Sequence, residues 1–221
     1  MTQKEKIGVQ IEVYSDVICP WCYVGEARLN QAIQSISADF NVAAVWQPFE
    51  LNPTMPEGGM DRKEYLTRKF GHSDMSGMQE KLNAAGAADG LRFNFAAMKR
   101  VPNTFNAHRL LWFAKSNGLQ GALADILFRR YFTETEDIGD LEVLVAAASE
   151  AGIVEDDARQ FLESEAGSAE VRKEQAAGLA LGIHAVPTFV MDGRVIASGA
   201  IAPTALAQLI QEGAEARLAK S

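Results

Sequence analysis

The chain of 221 residues contains two cysteines, and both stand in one run, Cys19-Pro20-Trp21-Cys22. Two thiols at this spacing can supply half of a metal site, close a structural disulfide, or exchange disulfides with another molecule. A zinc site needs four ligands, and beyond this pair only His72, His108 and His184 remain, so no metal centre is expected. A permanent disulfide across so short a loop constrains the unfolded chain least of all. A chain of this length with 48% hydrophobic residues buries a core without such a staple. Disulfide exchange is the chemistry that remains.

The elements around the pair must place it. Residues 7–14 alternate apolar and polar as a strand does, while Leu29, Ala32, Ile33 and Ile36 share one helical face. The pair therefore falls where a strand turns into a helix. Proline is favoured at the first helical position, where its missing N–H has no partner to lose, so Pro20 makes Cys19 the cap. A sulfur there meets the free N–H groups and positive end of the helix, which favour thiolate over thiol. Cys19 is thus the expected nucleophile. Cys22, one turn deeper and more shielded, is the expected resolving thiol for the mixed disulfide that Cys19 forms. Pro20 and Trp21, between the sulfurs, are expected to tune the redox poise.

The formal net charge of -8 argues against nucleic acid or an anionic membrane as main partner, because both repel an acidic surface. Arg62-Lys63, Arg68-Lys69 and Arg129-Arg130 are short, interrupted by apolar residues, and read as solvated helix faces. Gln10, Glu12 and Asp16 interrupt the one stretch that could serve as a leader, and no run approaches a membrane span. A cytoplasmic protein is expected. In that reducing compartment a cysteine pair is catalytic or redox-sensing rather than a staple.

The rest of the chain punctuates itself. Residues 41–50 read as a second, buried strand, followed by Pro53, Pro56 and two glycines. Helices follow: from Asp61 with Glu64 as a capping box to Gly71, through Met75, Met78, Leu82 and Ala85 to Gly90, and from Asn103 or Thr104 to Asn117-Gly118. Three more cover 119–132, 140–151 and 155–163. The last third predicts a helix over 168–181, then strands over 187–191 and 194–198 joined by Asp192-Gly193, a strong hairpin signal. A final helix starts at Pro203 or Thr204. This order resembles an α/β thioredoxin-like fold with a large all-helical insertion. Residues 1–52 and 165–221 form the thioredoxin-like domain and 53–164 the helical insertion domain.

Four separated stretches carry a more specific likeness: Ser15 through Cys22; Phe49-Glu50-Leu51-Asn52-Pro53 on to Tyr65-Leu66; Asn103 through Arg109; and Gly182 through Phe189. Together they resemble the DsbA-like thioredoxin-fold oxidoreductases, in particular the FrnE-type branch near the 2-hydroxychromene-2-carboxylate isomerases. The resemblance implies a cis Val186-Pro187 bond beside the cysteines. Val186 and Pro187 would then shape the substrate groove, and the Val186 carbonyl and N–H would pair with an extended substrate segment. It implies no cofactor, with glutathione as a candidate redox partner beside disulfide- or thiol-containing proteins.

Asn103, His108 and His184 are further candidates to line the site. A charged His184 near the sulfurs would lower a thiol's pKa, whereas His108 reads more readily as a structural histidine. Two other functions stand beside a thiol-disulfide oxidoreductase. One is a glutathione-dependent isomerase or transferase, although relatives of that type carry serine where Cys19 stands. The other is a chaperone-like binder using Met75, Met78 and Met98 as adaptable contacts. The oligomeric state is not assigned.

Overall fold

A computed structural model describes residues 6–219, so residues 1–5 and 220–221 of the two terminal assignments lie outside it. In chain order the elements are β1 (Ile7–Ser15), α1 (Pro20–Ile36), β2 (Phe40–Pro48), β3 (Met60–Asp61), α2 (Arg62–Phe70), α3 (Ser76–Ala88), β4 (Arg100–Val101), α4 (Phe105–Lys115) and α5 (Gln120–Arg129). A π-helical turn (Arg130–Glu134), α6 (Leu141–Glu150), α7 (Glu155–Glu163), α8 (Ser168–Ala180), β5 (Thr188–Met191), β6 (Arg194–Ser198) and α9 (Pro203–Leu218) complete them.

The main sheet has the order β2-β1-β5-β6. β1 pairs in parallel with β2, from Ile7 opposite Phe40 to Ser15 opposite Pro48, and antiparallel with β5, where Val13 faces Phe189. The alternation along β1 sorts its two faces. Val9, Ile11 and Val13 join Leu29 of α1 and Leu206 and Ile210 of α9 in the main core, whereas Tyr14 turns to the opposite face with Val190 and Ile183. There α8 comes so close that a Cβ on Gly178 would lie 2.4 Å from the Tyr14 ring. The β5–β6 turn is Asp192-Gly193 with both residues at positive φ, 49° and 71°, as a tight hairpin requires.

β2 is an edge strand, and an unpaired edge invites association. Gln120 covers it: its amide accepts from the Trp46 N–H at 2.9 Å and donates to the Trp46 carbonyl at 3.0 Å, in the manner of a neighbouring strand. The segment between β2 and α8 is helical apart from the ribbon of β3 and β4, in which Met60 faces Val101. Two residues are too few to show an alternating pattern, so the ribbon leaves no periodicity to read. The helix read over 119–132 is α5 running into the π-helical turn. Tyr23 of α1 stacks on Phe128 and Phe132 with ring centroids 5.2 and 5.8 Å apart, which fastens the cysteine-bearing helix to the helical segment.

Candidate active site

Cys19 is the cap of α1, with extended backbone (φ -87°, ψ 114°), and Pro20 opens the helix. Both cysteines are free thiols. Cys19 keeps 6% of its surface exposed and Cys22 only 1%, so a substrate reaches Cys19 first. The Cys22 thiol donates toward Cys19 and is the largest influence holding the Cys19 pKa below its ordinary value. Burial opposes this, backbone N–H groups of Cys22 and Trp21 add to it, and the Asp16 carboxylate again opposes it. Burial pushes Cys22 well above the ordinary thiol value, and the neighbouring Cys19 sulfur pushes the same way. The outer sulfur therefore gives up its proton more readily than the inner one. The helix end contributes, but the partner thiol contributes more.

The Val186-Pro187 bond is cis. The Cys19 sulfur lies 3.9 Å from the Val186 carbonyl oxygen, so the first helix and the loop before β5 meet at the reactive atom. Gly25, one turn beyond Cys22, permits this approach: a Cβ there would sit 2.8 Å from Pro187 Cγ. Trp21 is 37% exposed beside the sulfurs.

The other sequence candidates separate. Asn103 ties loops together, donating to the Met55 carbonyl at 2.7 Å and accepting from the Phe105 N–H at 2.9 Å. His184 is exposed in the turn before Val186, and the charge that acts on Cys19 is that of Asp16. His108 is 3% exposed and points its Nε2 at Asp16 Oδ1, 3.6 Å away. The sequence reading gave Asp16 no part in the site. It is fully buried, accepts from the Leu51 N–H at 2.7 Å and the Ile18 N–H at 3.4 Å, and its carbonyl receives the Cys19 N–H at 2.9 Å. A turn-forming aspartate three residues before the first cysteine was the available signal.

Ile18 and Pro20 also form one wall of an apolar cavity of about 280 Å³, closed by Leu66, Met75, Phe95 and Met98. Two cations stand at it: the Arg62 guanidinium 5.9 Å from the Phe95 ring centre and Lys69 Nζ 5.3 Å from that of Tyr65. The methionines that sequence spacing grouped thus do meet, Met98 buried and Met78 exposed, beside the cysteine pair.

A cysteine at the helix cap, its buried partner and the Val186 carbonyl before the cis proline thus converge, and the profile of the DSBA-like thioredoxin domain family matches residues 10–211. The chain belongs to that family. This DSBA-like protein is 33% identical to a probable DsbA oxidoreductase from Streptomyces coelicolor whose solved structure superimposes with a TM-score of 0.83, covering 93% of this chain and 89% of that one. It is 31% identical over 198 residues to the uncharacterized protein YwbO of Bacillus subtilis (strain 168), covering 87% of this chain and 91% of that protein. The cytosolic disulfide reductase DsbM from Pseudomonas aeruginosa, solved with GSH, shares the fold at 16% identity and a TM-score of 0.65, over 96% of this chain and 98% of that one. Among the described residues of this DSBA-like protein, no helix is long and apolar enough to cross a membrane.

Proposed function

We propose that this protein exchanges disulfides with protein or small-thiol substrates, with Cys19 as nucleophile and Cys22 as resolving thiol. What supports the reading is the asymmetry between the sulfurs: the outer one is the more exposed and its partner lowers its pKa, while burial raises that of the inner one. Cys19 attacks a substrate disulfide, the substrate's first sulfur leaves as a thiolate, and Cys22 then displaces the second. Val186 offers its backbone to an extended substrate beside Cys19. The apolar cavity next to Pro20 accepts an apolar side chain flanking the substrate cysteine, with Arg62 and Lys69 placed for a carboxylate. Glutathione is a suitable redox partner on the same grounds, and the cytoplasm is the compartment proposed, in keeping with a pair used catalytically.

Insulin reduction and refolding of a scrambled disulfide protein test this directly. Cys19→Ser abolishes both activities on this reading, and Cys22→Ser accumulates mixed disulfides with glutathione or client proteins. Retained turnover in the double cysteine variant points instead to glutathione-dependent isomerase chemistry, and wild-type activity in Cys19→Ser refutes the mechanism.

A further inference from the structure

Ser15, whose side chain faces Cys22, borders a cavity of about 10 Å³, room for a single water centre. Ser15, Trp46, Gln47 and His108 line it, brought together from β1, β2 and α4. Ser15 Oγ, Trp46 Nε1, Gln47 Oε1 and His108 Nε2 are all buried and lack a hydrogen-bond partner among the described residues. Buried polar groups are rarely left so, and a polar cavity of this size with two to four partners is where buried water is found.

The chemistry next to it needs such a site. Cys22 is almost wholly shielded, yet it must lose a proton to attack a mixed disulfide and regain one in the reverse direction. Bulk water does not reach it. Ser15 faces Cys22 closely enough to favour its thiolate, although its hydroxyl makes no conventional hydrogen bond. At the other end of the cavity, a proton arriving on His108 Nε2 is held 3.6 Å from the Asp16 carboxylate. Of the charged groups nearby, the partly exposed Glu174 lines the cavity, Asp16 faces His108 at 3.6 Å, and Glu12 accepts from Gln47 Nε2 at 3.5 Å.

The geometry points to a proton route for the resolving cysteine, in which Ser15, one cavity-bound water and His108 carry the Cys22 proton away while Asp16 positions and balances the imidazole. The step rests on the exchange reading above. Cys22 Sγ attacks Cys19 Sγ, the new Sγ–Sγ bond forms, and the bond from Cys19 to the substrate sulfur breaks with its electron pair leaving on the substrate thiolate. The Cys22 proton moves to Ser15 Oγ, whose own proton passes through the water to His108. The departing thiolate takes a proton from solvent, and His108 returns one to solvent past Glu174.

Rapid-quench kinetics with glutathione disulfide as probe separate the two steps: capture, which forms the Cys19–glutathione mixed disulfide, and resolution, which releases the second glutathione. In His108→Gln and in Ser15→Ala the ratio of resolution to capture falls at least about tenfold at neutral pH. The deficit narrows as pH rises and hydroxide takes over, and the double variant is no worse than the single ones. Equal slowing of both steps, or a deficit unchanged with pH, marks a structural role and overturns the relay. If no mixed disulfide forms even in the wild type, the exchange reading fails; if it forms and resolves at the wild-type rate in both variants, only the relay fails. Should the variants not fold, a high-resolution crystal structure of the wild type decides. Ordered water bonded to two or more of the four atoms supports the site, and a dry cavity removes it.

Discussion

Replacing Cys22 by alanine removes the group that does most to hold Cys19 as thiolate, while serine at the same place keeps a hydroxyl able to donate. Both variants leave Cys19 as the sole thiol, so its ionisation reads out cleanly. A hydrogen bond to a charged group contributes about 1.5–3 kcal/mol. The serine hydroxyl donates at least as well as the weak S–H it replaces, so even the lower end of that range makes Cys22→Ala, relative to Cys22→Ser, about a tenfold loss of thiolate at neutral pH. A more basic thiolate is also a better nucleophile, and a Brønsted slope of about 0.4–0.5 returns roughly threefold of that loss. Iodoacetamide alkylation of Cys22→Ala is therefore about threefold slower than that of Cys22→Ser at neutral pH, and about threefold faster where both are fully ionised. The two pH–rate curves cross. Superimposed curves would refute the claim that the inner thiol, rather than the helix end alone, sets the charge on the outer one.

Three further outcomes follow from packing and charge. Glu26 is 2% exposed, and burial together with the Asp125 charge raises its carboxyl well above the ordinary value of 4.5. A raised folded-state value favours folding at low pH, and that contribution is lost as pH rises through it. The wild-type Tm should thus decline between mildly acidic and alkaline pH more steeply than that of Glu26→Gln, and parallel slopes would contradict the argument. Gly25→Ala forces a methyl to 2.8 Å from Pro187; it should cost about 1–3 kcal/mol in denaturant unfolding and slow insulin reduction. Gly8→Ala, with nothing among the described residues within 4 Å of the added carbon, is the control, and equal effects of the two would argue against contact between α1 and the Pro187 loop. Arg109 donates to the carbonyls of Phe161, Leu162, Ser164 and Ala166. Lysine cannot span them, so Arg109→Lys should lose about 3 kcal/mol of stability, and a loss within about 0.5 kcal/mol, as at an ordinary surface site, would refute that role.

The strand, turn and helix around Cys19 were legible because periods of two and 3.6 residues and a proline at a helix start are local properties. The same holds for the Asp61 cap, whose side chain accepts from the Glu64 N–H at 3.0 Å, and for the Asp192-Gly193 hairpin. The β3–β4 ribbon was not legible, since its strands lie some forty positions apart and are two residues long each. His184 was a candidate for its nearness in sequence to Val186, but direction around a turn decides such matters, and it points to solvent. Asp16 escaped notice for the opposite reason. Its importance comes from complete burial and from the Leu51 N–H, a backbone donor contributed by a loop more than thirty positions away.

Residue order alone singled out the two thiols, placed them at the start of a helix, and set the expectation of exchange rather than metal or nucleic-acid chemistry. Folding decided how they react. It set the Cys22 thiol against Cys19 in a buried interior, laid the Val186 carbonyl 3.9 Å from the outer sulfur, and drew Ser15, Gln47 and His108 around one small cavity. Burial and long-range proximity govern the proton affinity of a sulfur. Neither is a property of any short stretch of chain, so both wait for the packing of α1 against the sheet and the helical segment.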